Sequence, residues 1–125
     1  MFMAAPDSLH YCLMIIVRNK ITGFILGKNF LAMCLYPFLL VNRGVDIGSM
    51  PHSLNHEKIH ARQQLEMLVI FFYLWYAVEY LLKLLSCRSF RKAYLALSHE
   101  QEAYAHQQDP GYLSVRKPYS WWKYL

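Results

Sequence analysis

The stretch at residues 63–85, QQLEMLVIFFYLWYAVEYLLKLL, restricts the fold more than any other part of the chain. Residues 67–78 are twelve in a row without a charge. A transmembrane helix needs ~20 apolar residues, and lengthening the run to Leu85 brings in Glu79 and Lys83. The run therefore suits the core helix of a small protein, a membrane span, or a helix lying partly in a bilayer. Composition keeps all three open. The chain is 56% apolar and 16% aromatic, and only 17% of its residues are charged, against about a quarter in ordinary soluble domains. So few charges cover a surface poorly, which points to a membrane, a partner or a second copy. A length of 125 residues suits one domain.

The rest of the chain reads as α+β and helix-dominated, with a short N-terminal β-hairpin or sheet and two to four packed helices. Residues 12–20 are β-branched and short, as in a strand, and Gly23 and Gly27 then punctuate a turn. Residues 30–42 form a second apolar run, in which Pro37 argues against a helix interior and for an edge strand or a bulge. Asn42-Arg43-Gly44 and Gly48 mark loops. From Leu54 the chain reads as helix as far as Leu85, with Ser53 as its N-cap. Residues 86–89 break it, residues 90–108 form another helical stretch, and Asp109-Pro110-Gly111 ends that one. Residues 14–125 are expected to be a single domain with an aromatic and basic tail at 110–125. That tail has the composition of an interfacial anchor; packing back onto the domain is the equal alternative. Residues 1–13 read as a flexible extension. They make a poor signal peptide, because Asp7 and His10 precede the apolar stretch and no basic leader does.

The formal charge is +5, with the basic residues scattered from Arg18 to Lys123. No nucleic-acid motif accompanies them. The positive balance suits mild attraction to anionic lipid, or simply a solvated surface. The three cysteines lie far apart and include no C-x-x-C pair, which makes neither a disulfide framework nor a cysteine zinc site.

The chemistry concentrates in His56-Glu57-Lys58-Ile59-His60, an H-E-x-x-H pattern. On a helix, positions i and i+4 lie on one face, so two neutral imidazoles can hold one ion. Glu57 stands one step round, near the ion without binding it, and can take a proton from a metal-activated water. Two histidines at this spacing are otherwise an ordinary structural pair. A third ligand raises the odds, since a catalytic zinc usually has three protein ligands. The candidates lie in SHEQEAYAH, residues 98–106, where a solvated helix face is the alternative. Gln63 can hydrogen-bond a ligand or the substrate, though a surface glutamine is the commoner case. Asn55 can orient the first turn. His99 and His106 are alternative ligands that would more often be surface histidines, and His52 is expected to be exposed. Tyr104 or Tyr112 can stabilise an oxyanion.

The chain resembles the gluzincins, zincin-like enzymes that pair H-E-x-x-H on one helix with a glutamate on a following one. Glu100-Gln101-Glu102-Ala103-Tyr104 matches their second motif in its E-x-E-A form. It also resembles short uncharacterised bacterial proteins that carry H-E-x-x-H-x-x-Q, an aromatic FYLWY segment and E-x-E-A-Y. The resemblance implies a minimal zincin-like fold with one Zn²⁺ on His56, His60 and Glu100. Glu57 would be the general base, with Gln63, Glu102 and Tyr104 around the site or the substrate. Tyr104 stands where many relatives carry Asp. The implied function is a zinc metallopeptidase, a membrane-associated or cytoplasmic bacterial protein with a peptide or protein substrate. The alternative is a non-catalytic, metal-stabilised binding or regulatory module at a membrane.

Geometry sets a condition. A straight helix from His60 to Leu85 rises about 37 Å, and the helical return from Phe90 to Glu100 covers only about 15 Å. Glu100 reaches the histidines only if the first helix bends or the connection runs back extended; a break or sharp bend is expected at the aromatic cluster of residues 71–76. The edge character of residues 30–42 further suits addition of an extended peptide as a strand.

Overall fold

A computed structural model describes residues 14–125; the expectation for residues 1–13 lies outside the described residues. The chain folds as a helix-dominated α+β protein, the class expected from the sequence. A three-stranded sheet is joined by six α-helices, two more than the largest number expected: the two long helical stretches divide into four, and short helices also form at Lys20–Leu26 and Tyr112–Val115.

Strand β1 is Ile15–Val17 and helix α1 is Lys20–Leu26. Asn19 caps α1. Its side chain accepts the Thr22 N–H at 2.9 Å, and the Thr22 hydroxyl oxygen accepts the Asn19 N–H at 2.9 Å. This reciprocal box satisfies two donors the helix leaves open. It makes a helix of the segment that Gly23 and Gly27 led us to read as a turn. Gly23 sits inside the helix, and Gly27, at φ +62°, terminates it.

Residues 30–42 form a hairpin rather than one strand, with β2 at Ala32–Leu35 and β3 at Phe38–Val41. Tyr36 and Pro37, joined by a cis peptide, make the turn. The sheet order is β1-β3-β2. β3 runs parallel to β1 and antiparallel to β2, so β2 is an edge. Leu39 and Val41 are buried with Ile47 to form the core beneath the sheet.

Helix α2, Pro51–Glu66, starts before the expected N-cap. Pro51 takes a first-turn position, where its missing N–H costs nothing, and Ser53 lies inside the first turn. Helix α3, Ile70–Cys87, follows after a break. The break falls at Leu68 and Val69, just ahead of residues 71–76. Both adopt left-handed backbone, at φ +55° and +61°, a conformation that costs a β-branched residue roughly 1–3 kcal/mol. The Val69 N–H reaches back to the Gln64 carbonyl at 2.6 Å and closes the turn.

Arg88, at φ +54°, ends α3. Residues 90–108 then divide into α4, Phe90–Leu95, and α5, Ser98–His106. Glu79 of α3 explains the second start. It accepts the backbone N–H of Ser98 at 2.8 Å and its hydroxyl at 2.7 Å. A carboxylate at the positive end of α5 is electrostatically favoured. Helix α6, Tyr112–Val115, and a 3₁₀ turn, Ser120–Tyr124, complete the chain. The tail packs back onto α5, burying Trp121 against His99 with ring centroids 4.3 Å apart; Trp122 remains exposed. By length and composition α3 is able to cross a membrane, and little of it is buried inside the protein.

Candidate metal centre

Helix α2 points its polar residues inward. His56, Glu57, His60, Gln63 and Gln64 are all buried there. The fold reversal at residues 67–69, and the return through α4, bring α5 alongside, so Glu100 meets the two histidines. His56 Nε2 and His60 Nε2 are 3.1 Å apart, and each lies 3.2 Å from Glu100 Oε2. Tetrahedral ligands about 2.0–2.1 Å from one zinc would stand ~3.3 Å apart. The three residues form a buried group able to hold a metal ion.

The surrounding hydrogen bonds fix which atoms face the centre. The Gln63 amide nitrogen donates to the His99 carbonyl at 3.1 Å and to Glu102 Oε2 at 2.8 Å. Its oxygen is therefore left to accept, and His60 Nδ1–H donates to it at 2.8 Å. That leaves the His60 Nε2 lone pair inward. Gln107 Oε1, 2.9 Å from His56 Nδ1, does the same for the other ring. Partners of this kind set the tautomer and orientation of metal-binding histidines. The Tyr76 hydroxyl donates to Glu100 Oε1 at 3.0 Å, so Glu100 presents a single oxygen to the histidines.

The centre gathers acceptors that share positive charge. Burial opposes a charge on His60, but the Glu100 carboxylate beside it raises its pKa to about 9. Burial likewise opposes ionisation of Glu100, and the two imidazoles outweigh it, holding that carboxyl below its ordinary value.

Glu57 stands beside this group. Its Oε2 accepts the backbone N–H of Cys34 on β2 at 2.8 Å. Burial raises its pKa, with His60 and His56 pulling the other way. Glu57, His60, Glu100, Tyr76 and Tyr104 share a cavity of about 900 Å³. The Tyr104 ring meets His56 edge-on, with centroids 4.5 Å apart.

The peptide-strand expectation needs correction. Along β2 the outward backbone positions are 32, 34 and 36, because the Asn42 N–H donates to the Leu31 carbonyl at 2.9 Å and so commits the odd positions to β3. Cys34 N–H is bound by Glu57. The Cys34 carbonyl accepts from the Gln64 amide at 2.8 Å and the Tyr73 hydroxyl at 3.1 Å, and Tyr36 N–H donates to Gln64 at 2.8 Å. Helices α2 and α3 thus close the edge at those positions. Among the described residues only Ala32 of this set still faces the cavity.

The other candidates fall into place around the centre. Gln63 is fully buried, not a surface residue. Glu102 is buried one layer out. It accepts from Gln63, from the Tyr112 hydroxyl at 2.6 Å, and from Arg116 through both Nε and Nη2. Arg116 also grips Glu66 with two bonds of 2.9 Å. Tyr112 is thereby committed to Glu102 and free for no oxyanion. Asn55 donates to three carbonyls at the end of α5, those of His106, Gln107 and Asp109, and so holds Gln107 in place. His99 is buried against Phe72 and Trp121 with neither ring nitrogen hydrogen-bonded. Burial lowers its pKa to about 3, so it stays neutral. His106 stacks on Tyr112 and contacts the Tyr124 hydroxyl at 3.0 Å. His52 is exposed.

Sequence reasoning missed Gln107, Tyr76, Arg116 and Glu79. Only Glu79 left a signal, as a lone acid inside an apolar helix. Comparison of the chain with protein-family models, curated proteins and solved structures finds no match.

Proposed function

We propose that the protein is a zinc-dependent metallopeptidase of the gluzincin type, with His56, His60 and Glu100 holding one Zn²⁺. One observation carries this reading: three buried acceptor atoms stand 3.1–3.2 Å apart, with both outer ring nitrogens already satisfied by glutamines. Such a set calls for a shared cation, and two imidazoles with one carboxylate suit zinc. When bound by His56, His60 and Glu100, such an ion would supply Lewis acidity that lowers the pKa of a water to about 7.

The remaining roles belong to the chain. Glu57, tied to Cys34 through one oxygen, takes the water's proton and returns it to the leaving amine. Its burial-raised pKa suits a group that must do both. Tyr76 fixes the Glu100 carboxylate. Tyr104, at the cavity wall, is the hydroxyl we assign to the developing oxyanion. The exposed apolar length of α3 supports a membrane-associated location.

A second reading has its own observation. The Glu57–Cys34 bond also staples the sheet to α2, as a non-catalytic, metal-stabilised regulatory module would require. Glu57→Gln separates the two. The glutamine oxygen still accepts the Cys34 N–H, so the staple survives while the base is lost. We expect protein purified without a histidine tag to contain one zinc per chain in both forms. Peptidase activity should fall roughly 10²–10⁴-fold in the variant. Equal activity, or no activity in either, removes the peptidase reading; absence of metal removes both.

A further inference from the structure

The outer face of α3 is built from Phe71, Leu74, Val78, Leu81, Leu82 and Leu85, each more than half exposed. At about 100° per residue these six span roughly 100° of the helix circumference. The helix's two charged residues lie elsewhere: Glu79 is buried on Ser98, and Lys83 is on the partly buried side. The cavity that holds Glu57, His60 and Glu100 is lined by Ala77 and Tyr80 of the same helix. Ile25 of α1, Phe30, and Phe90 of α4 also line it, and all three are exposed. Phe24 on α1 is 87% exposed. Exposed apolar side chains of α1, α4 and residue 30 thus line the same cavity as α3. Charge adds to this. All five glutamates are buried or half-buried, and among the described residues the exposed acids are only Asp46 and Asp109. Nine lysines and arginines are exposed there, including Arg88, Arg91 and Lys92 where α3 turns into α4.

We propose that the protein docks on an anionic lipid bilayer through this face of α3 and the rim of the cavity. An apolar stripe on one side of the helix, with a polar site behind it, suits a helix lying in the interface rather than crossing it. Arg88, Arg91 and Lys92, at the end of that face, would meet acidic headgroups. The mouth then opens on the lipid side. Resting on the peptidase reading above, the substrate class is an apolar peptide segment held at or in the bilayer.

The test is flotation of the full chain with vesicles of phosphatidylcholine alone or mixed with phosphatidylglycerol. We expect binding to the mixed vesicles that weakens at high salt. The double variant Leu81→Glu/Leu85→Glu should bind at least 10-fold less while keeping its circular dichroism and bound metal. Wild-type protein that ignores both vesicles overturns the proposal. So does a stable dimer abolished by the same double variant without any vesicle binding. Glu57→Gln should float like wild type, so failure of the peptidase reading leaves this result standing. The substrate class has its own readout, cleavage of an apolar peptide carried in vesicles against a water-soluble one. Preference for the soluble peptide sinks the lipid-side route alone.

Discussion

Helices α2 and α3 are consecutive and similar in length, yet they bury opposite kinds of side chain. α2 puts Asn55, His56, Glu57, His60, Gln63 and Gln64 inside. α3 buries only Phe72 and Glu79 and turns leucine, valine and phenylalanine outward. A polar interior is stable only when its groups are hydrogen-bonded, and α2 meets this with partners from β2, α5 and the tail. A contiguous exposed apolar face marks a surface that meets a partner. One helix thus rests on a hydrogen-bond network around a group able to hold a metal ion, and the other leaves an apolar face exposed.

The contrast is broken most severely at Arg116, which joins Glu66 at the end of α2 to Glu102 of α5. Arg116→Met leaves two carboxylates behind, one of them fully buried. Removing one partner of such a group costs roughly 3–5 kcal/mol, measurable by urea unfolding. A change below about 1 kcal/mol would mean that the network does not anchor α5.

Chelation acts next. Without metal, His60 keeps a proton that Glu100 stabilises, and its folded pKa lies above the unfolded value. That contribution is complete below the unfolded pKa, near 6.5, and is lost as pH rises through about 9. The melting temperature of the chelated protein should therefore fall over that window, while the zinc form, whose ligands are deprotonated by the metal, should not follow it. Parallel profiles would show that no ion occupies the three ligands.

A subtler change is Gln107→Ala, which removes the acceptor on His56 without entering the cavity. Loss of such an outer partner should weaken metal affinity about 10–100-fold, read by competition with a chromophoric chelator. Unaltered affinity would place the orienting role on Gln63 alone.

The smallest effect is expected on the outer face of α3. Leu85→Gln, at a 77% exposed position, should shift stability in detergent-free buffer by no more than about 0.5 kcal/mol. Large destabilisation would mean that the face is already packed against a second copy.

The site was legible where its chemistry is local. Histidines four apart on a helix share a face whatever surrounds them, and a glutamate motif on a later helix named Glu100 as the third member of the group able to hold a metal. A break was expected, and the inability of a straight helix with a short helical return to join the two motifs also followed from lengths. The bend's position did not, because Leu68 and Val69 carry no turn signal; the closing bond to Gln64 and the packing of α3 impose it. Helix α1 did leave a signal, the Asn19-x-x-Thr22 box, which the two glycines outweighed. The one strand expected at residues 30–42 became a hairpin because Pro37 sits in a turn instead of on an edge.

By itself the sequence determined the periodic features: a polar face on one helix, an apolar run on the next, and the pair of imidazoles with its neighbouring carboxylate. Those depend on residues within a turn or two of each other, where helix geometry fixes the spacing. Only the tertiary structure decided that Gln107, Tyr76 and Arg116 serve the site, and that the open edge of β2 is closed by Glu57 and Gln64. These contacts join residues 14 to 51 positions apart, and nothing in local propensity encodes a partner at that distance.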